Sequence, residues 1–393
     1  MKIIIAGGGI AGLTAALCLS QDGHQVTILE QAPEFSEVGA GLQIGPNGMR
    51  VMQALGLEDK MRATAYEPER IELRFGQSGR VIFDIPLAER AVDRWGAPYL
   101  HIHRADLVGI LETACMESDL ISVKFNTRVQ FVEQTSSEVR VHLPGGDEEV
   151  GDILVGADGI HSVVQEQILP PTVPRFTGNV AWRGIVRADE LTEFSPPPTA
   201  CAWVGRGQHA VTYYLRGGEL VNFVAVVERS DWREESWSQA GPKDDLLRDF
   251  VDWDPVILNV ITKGESFFRW ALFDRPPLAK WVEGRVALMG DAAHPMLPFV
   301  AQGAVMAMED AYMLAKSLRH ARSVGDGLLT YQARRHARAT HVQALSRKNS
   351  NTFHRRNPLM RLATYGPMWL AGHALPELVH QRMDWIYGYD VTA

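Results

Sequence analysis

Between a short apolar strand and a helix-forming stretch the chain carries Gly7-x-Gly9-x-x-Gly12, and Glu30 closes the strand that follows. No other feature narrows the fold as much. Residues 2–5 read as a strand, 7–12 as a glycine turn, 13–20 as a helix and 25–29 as a second strand, which together make a βαβ unit. Each glycine has a physical job. The first permits a tight turn, the second lets the backbone approach a pyrophosphate at the positive helix N-terminus, and the third lets helix and strand pack closely. Glu30 can accept both hydroxyls of an adenosine ribose, and its charge disfavours a 2′-phosphate. The pattern predicts a dinucleotide site and does not by itself separate FAD from NAD(H). No second fingerprint follows, so a nicotinamide cofactor would have no Rossmann site of its own.

A chain of 393 residues is long enough for two packed domains, or for one large domain carrying an inserted one. Its net charge of -8 gives no electrostatic reason to approach nucleic-acid phosphates. Cys18, Cys115 and Cys201 lie too far apart for a metal cluster or a disulfide framework, and His, Cys, Asp and Glu show no metal-ligand spacing. A reducing cytoplasm fits. The apolar opening run leads into the glycine motif without a cleavage site, so it reads as a strand and not as a signal peptide. No stretch approaches the roughly 18 apolar residues of a membrane span. A soluble protein is expected, with neither membrane nor nucleic acid as partner.

Further along, residues 139–143 and 149–155 flank a Pro144-Gly145-Gly146-Asp147 turn and read as a hairpin. From about 176 to 273 the texture becomes β-rich and aromatic, with Trp182, Trp203, Tyr213, Tyr214 and Phe223 between Gly and Pro breaks. A strand at 285–289, a helix at 303–320, a basic helical stretch at 331–348 and an aromatic tail follow. The expectation is an α/β fold: a discontinuous Rossmann-type domain (1–175 and 274–345), an inserted β-sheet domain for substrate (176–273) and a helical C-terminal region (346–393).

Two further motifs stand apart from the fingerprint: Gly156-Ala157-Asp158-Gly159-Ile160-His161-Ser162 and Gly290-Asp291-Ala292-Ala293-His294-Pro295. In this order the three resemble the FAD-dependent aromatic hydroxylases, in particular the group of salicylate hydroxylase, 3-hydroxybenzoate 6-hydroxylase and 6-hydroxynicotinate 3-monooxygenase. The resemblance covers nearly the whole chain. It implies FAD as cofactor, with NADH or NADPH as transient co-substrate, and O2 chemistry through an electrophilic flavin C4a-hydroperoxide.

It also implies roles for particular residues. Asp158 would lie where FAD and the nicotinamide are both served, and Asp291 would contact the ribityl chain. Arg104 would reach the FAD from a helix start. Residues 39–47, with Gly41 and Leu42, would form the segment beside the isoalloxazine ring. Pro298, Gly303, Ala304 and Val305 would bring a helix N-terminus to the flavin pyrimidine edge, where it stabilises the negative charge of the reduced ring. Ala11, Gln31 and Val129 complete the expected cofactor lining beside Gly7, Gly9, Gly12 and Glu30. Two departures stand out. Gln165 replaces an arginine usual in the family, and Pro298-Phe299 stands where the 3-hydroxybenzoate enzyme carries a glutamine and the hydroxynicotinate enzyme a histidine.

Such chemistry favours an electron-rich ring, so a phenolate reacts better than a phenol, and a base is needed beside the substrate hydroxyl. On the segment 207–214, period two puts His209, Val211 and Tyr213 on one face, with His209 and Tyr213 roughly 13 Å apart along the strand. They could bracket one aromatic ring. The related hydroxylases place a base histidine and a substrate-binding tyrosine at this spacing before the same Arg-Gly-Gly-Glu. His209 is the expected base and Tyr213 the residue that positions the substrate. Arg183 could bind a carboxylate or serve as a partner within the sheet, and His294 is given no catalytic role.

The expected function is hydroxylation of a small phenolic acid. Two other readings stay open: a flavin enzyme of different chemistry, such as a halogenase or reductase, and a non-enzymatic flavin or dinucleotide sensor. Against the first, Trp-x-Trp-x-Ile and paired cysteines are absent. The sensor would use Trp369, Trp385, Tyr387 and Tyr389 to bind a partner, whereas those aromatics otherwise cover the core or a homodimer surface.

Overall fold

The computed structural model describes residues 1–35, 41–170, 173–229 and 239–393. The strand Lys2–Ala6 lies in the middle of a six-stranded sheet because its Ile3, Ile4 and Ile5 are buried on both faces. Gln25–Leu29 and then Ile121–Lys124 follow in parallel on one side, and Ile153–Gly156 and Val286–Leu288 on the other, with Val282–Glu283 antiparallel at the edge. The helices Ile10–Gln21 and Gly303–Arg319 pack together, and their buried sides complete one core with the sheet.

The second large sheet has eight strands. In order they are Ala240–Gly241, Phe267–Asp274, Arg175–Arg187, Leu220–Glu228, Gln208–Leu215, Ala200–Val204, Arg70–Phe75 and Val81–Pro86. On one face Trp182, Trp203 and Phe223 bury against the helices Lys243–Asp249 and Pro255–Lys263. The opposite face, which carries His209, Val211 and Tyr213, turns toward the remainder of the chain.

Three expectations need correction. The sheet drawn at 176–273 also takes in the hairpin Arg70–Phe75/Val81–Pro86, whose first strand pairs in parallel with Ala200–Val204. A long-range parallel pairing of this kind leaves no turn signal in the sequence. The stretch 149–155 is not one strand. Glu148–Gly151 joins a three-stranded antiparallel sheet with Val139–His142 and Phe131–Gln134, while Ile153–Gly156 enters the parallel sheet. Asp152 makes the break: its N–H donates to the Lys2 carbonyl at 2.7 Å and its carboxylate accepts the Lys2 N–H at 2.8 Å. Finally, a boundary at 345/346 falls inside the single helix Val324–Phe353.

Beyond that helix come Pro358–Ala374, Pro376–Gln381 and Asp384–Tyr387. Tyr387 is buried and Tyr389 lies 3.9 Å from the Arg338 guanidinium, whereas Trp369 and Trp385 are exposed. No helix among the described residues is long and apolar enough to cross a membrane.

Candidate active site

The fingerprint glycines are needed for measurable reasons. Gly7 sits at φ +100, and a Cβ there would lie 2.5 Å from the Ala157 carbonyl oxygen. At Gly12 a Cβ would lie 2.0 Å from the Gly7 carbonyl, which is why the helix can start so close under the turn. Gly9 differs. A Cβ there would meet nothing within 4 Å, and Gly9 caps the helix Ile10–Gln21 without any side-chain hydrogen bond.

The free N–H groups of that helix start therefore face a cleft of about 340 Å³, lined by Gly7, Gly9, Glu30, Gln31, Val129 and Asp158 among others. Glu30 is held by the N–H groups of Gly8 at 2.7 Å and Ala32 at 2.8 Å, and its oxygens retain further acceptor capacity. Open space at Gly9, bare helix donors and a fixed carboxylate fit an adenosine diphosphate moiety. Gly9→Leu should therefore leave the far-ultraviolet circular dichroism unchanged and yield colourless protein, whereas a yellow variant would show that nothing occupies this face of the turn.

Asp158 accepts from Ser162 Oγ and, at 3.1 Å, from the Val164 N–H; burial pushes its carboxyl up, and these bonds offset part of that rise. Ser162 in turn caps the helix Val163–Ile168, so the second motif rigidifies one wall of the cleft. The third motif packs on the first: Gly290 sits at φ +56, and a Cβ there would lie 3.1 Å from the Ala11 methyl. Asp291 is exposed on one side and surrounded by protein on the others, so desolvation raises its carboxyl while His294 and Arg104 pull it down. Arg104, which begins the helix Arg104–Met116, is thereby placed within electrostatic reach of Asp291.

The helix Gly303–Arg319 also begins without a side-chain cap. Its N-cap residue Gln302 instead accepts from Asn47 Nδ2 at 3.0 Å. Gly303 and Ala304 are half-buried at this bare end, while the Val305 side chain is buried beside Gly48. Two carboxylates fix the helix from behind. Glu309 takes hydrogen bonds from Asn47 at 2.7 Å and from Arg335 and Arg338, and Asp310 takes them from Arg335 at 2.7 Å and from the Gly290 N–H at 3.1 Å. His294 Nε2 lies 2.5 Å from Asp310, a structural contact. A rigid, uncapped N-terminus suits the electron-accepting edge of an isoalloxazine. Of the expected flanking segment, Gly39 and Ala40 lie outside the described residues.

The strand Gln208–Leu215 carries the expected substrate residues on the sheet face opposite Trp182, Trp203 and Phe223. Its register sets His209, Val211 and Tyr213 opposite Val226, Val224 and Asn222, and Arg183 opposite Val224 from the other side. Val211 and Val224 are half-buried between a buried His209 and a buried Tyr213, so the two polar residues stand at the ends of an apolar floor. Arg183 lies on the same face, its guanidinium 5.5 Å from the Trp270 ring and 5.8 Å from that of Phe268.

His209 packs 5.2 Å from both Phe299 and Phe353, and its Nδ1 lies 2.7 Å from His354 Nε2. Burial, and then the neighbouring His354, hold its pKa well below the ordinary imidazole value, so the ring is neutral. Tyr213 donates its hydroxyl to the Gly41 carbonyl at 2.7 Å, and burial pushes its phenol up. Asn222 completes the clasp by accepting the Gly41 N–H at 2.8 Å. Tyr213 thus ties the strand Gly41–Ile44, which includes Leu42, to the sheet. Pro298 is exposed and Phe299 is buried against His209.

Sequence reasoning missed three contributors. Asn222 had a visible signal, a lone polar residue interrupting an apolar strand opposite Tyr213. Phe353 and His354 had none, because they arrive from the end of a helix about 145 residues downstream of His209.

Residues 1–346 match the family model of the FAD binding domain. Across 392 residues the chain is 36% identical to 3-hydroxybenzoate 6-hydroxylase 1 of Aquipseudomonas alcaligenes, covering 100% of this chain and 98% of that one. It is 33% identical to 6-hydroxynicotinate 3-monooxygenase of Pseudomonas fluorescens, covering 99% and 95%. Among solved structures, Klebsiella pneumoniae HpxO complexed with FAD and uric acid superposes with a TM-score of 0.87 at 29% identity, covering 98% of this chain and 95% of that one. A salicylate hydroxylase substrate complex superposes with a TM-score of 0.83 at 26% identity, covering 100% and 96%. Matched by that family model over residues 1–346 and by these relatives over nearly its whole length, the chain belongs to the FAD-dependent aromatic hydroxylases, the flavoprotein monooxygenases of ring hydroxylation.

Proposed function

We propose that this enzyme hydroxylates a small phenolic carboxylic acid ortho or para to its hydroxyl, with O2 and either NADH or NADPH. The observation that carries this reading is a neutral imidazole, His209, at one end of an apolar floor that has Arg183 on the same face. The names of relatives that act on 3-hydroxybenzoate and 6-hydroxynicotinate support the substrate class.

When bound, flavin would supply the redox chemistry, in which the reduced nicotinamide gives two electrons and O2 gives one atom to the ring and the other to water. The chain's residues do the rest. Glu30 and the glycine turn hold the adenosine diphosphate, and Asp291 and Arg104 serve the sugar chain. The N–H groups at Gly303 and Ala304 stabilise negative charge on the flavin ring. Val211, Val224 and Phe299 keep water from the aromatic substrate, Arg183 pairs with its carboxylate, and Tyr213 fixes one end of the floor. His209 removes the phenol proton, which raises electron density at the carbons ortho and para to the oxygen. The apolar side chains left exposed on the helix Pro358–Ala374, Leu362, Trp369 and Leu370 among them, suit a second copy of this chain, and the three free thiols suit the cytoplasm.

The test is a panel of monohydroxybenzoates and hydroxypyridine carboxylates, each with NADH and with NADPH. One acid is expected to give hydroxylated product in step with the reduced nicotinamide consumed. If no acid on the panel stimulates nicotinamide oxidation, or if all consumption ends in hydrogen peroxide, the assignment fails.

A further inference from the structure

Deprotonating a phenol beside His209 creates a difficulty that the site itself must solve. The imidazole is buried among Phe299, Phe353 and Val226, where an imidazolium is poorly solvated, so a proton accepted there has to leave. One exit is built. His209 Nδ1 lies 2.7 Å from His354 Nε2, and His354 Nδ1 lies 3.5 Å from Glu228 Oε1. Glu228 is at the protein surface, exposed at the level of 36% and paired with Arg356 at 2.6 Å. His354 itself is buried and closes the C-terminal end of the helix Val324–Phe353, where the helix dipole favours a transient positive charge.

Resting on the hydroxylase reading above, we propose that His209, His354 and Glu228 form a proton relay that carries the substrate's phenolic proton from the crevice to solvent.

One pair of tautomers suits this order. The Glu228 carboxylate, 3.5 Å away, draws the proton of His354 to Nδ1, which leaves His354 Nε2 as the acceptor for His209 Nδ1–H. His209 Nε2, which has no hydrogen bond among the described residues, is then the bare lone pair that meets the phenol. When the phenol O–H breaks, its proton joins Nε2. The Nδ1 proton moves to His354 Nε2, the His354 Nδ1 proton moves to Glu228, and one proton enters solvent. The reverse transfer, which reprotonates the product phenolate, restores both tautomers. The charged groups facing His354 are Glu228, which favours its cation, and Arg356, which opposes it. His354 and Glu228 are positioning and relay residues; neither touches the reacting ring.

Two measurements test this on the FAD-loaded enzyme. The first needs no substrate: ¹⁵N spectra of histidine-labelled protein at neutral pH should show His209 and His354 both as neutral Nδ1–H tautomers. An Nε2–H tautomer at His209 overturns the relay. The second uses whichever panel acid gives coupled turnover, and compares wild type with Glu228→Gln and His354→Asn. Proton release on binding that acid to the oxidised enzyme, followed with a pH dye in dilute buffer, should slow at least tenfold in both variants. Added imidazole should restore much of the rate in His354→Asn, while flavin content stays at the wild-type level in Glu228→Gln. Wild-type proton release in Glu228→Gln overturns the proposal. A panel with no coupled acid fails the substrate assignment instead, and leaves the tautomer result to decide the relay.

Discussion

His209→Ala is expected to lower kcat/KM for the productive acid by about 10²- to 10⁴-fold, the usual contribution of a positioned base, with one FAD still bound per chain. The direction follows from the environment of the ring. Its neutral form is the stable one in the apolar pocket, so a base is available at pH 7, and no other described histidine lies at that end of the floor except His354, which reaches His209 Nδ1 and not the crevice. The pH profile gives a sharper check. Without the base, turnover depends on substrate that has ionised in solution, so activity of the variant should climb as pH rises toward the phenol pKa, about 10. Wild-type activity should be nearly flat over the same range. Turnover within threefold of wild type at pH 7 would remove His209 from the mechanism.

Arg335→Leu should destabilise the protein by about 3–5 kcal/mol, the usual result of leaving buried charge without its partner. Arg335 bridges Glu309 and Asp310, and all three side chains are fully buried. Burial alone would push the Asp310 carboxyl up, yet His294 and Arg335 hold it below the ordinary carboxylate range. Removing the guanidinium takes away the one cation shared by two adjacent buried carboxylates, leaving Glu309 with Arg338 and Asn47 and Asp310 with His294 and the Gly290 N–H, directly behind the helix end assigned to the flavin. Thermal melts and flavin retention should fall together. Arg62→Ala, which breaks an exposed pair with Glu58, is the control and should cost under about 1 kcal/mol. If the two variants melt alike, the buried network does not hold the helix.

The parts of this molecule that were legible in the sequence are those whose cause is local. The glycine turn, its helix and Glu30 constrain one another within thirty residues, and the alternation of His209, Val211 and Tyr213 is a property of one strand. The His354 contact is different in kind, since a side chain at a helix end carries no mark of the strand it will meet. The break at Asp152 was hidden for a related reason. Glu148–Gly151 and Ile153–Gly156 are both strand-like, and only the tertiary bond to Lys2 sends them into separate sheets. Tyr213 shows a third case: its face was readable, whereas its hydroxyl bond to Gly41 required both segments to be folded.

The parallel pairing of Arg70–Phe75 with Ala200–Val204 joins segments about 130 residues apart. At ribosomal speeds of about 5–20 residues per second, the earlier hairpin waits on the order of ten seconds for its neighbour. During that interval it presents an unpaired strand edge with Ile71, Leu73 and Phe75 uncovered on one face, so nascent chains stalled between these two stretches are the ones that chaperones have most reason to bind.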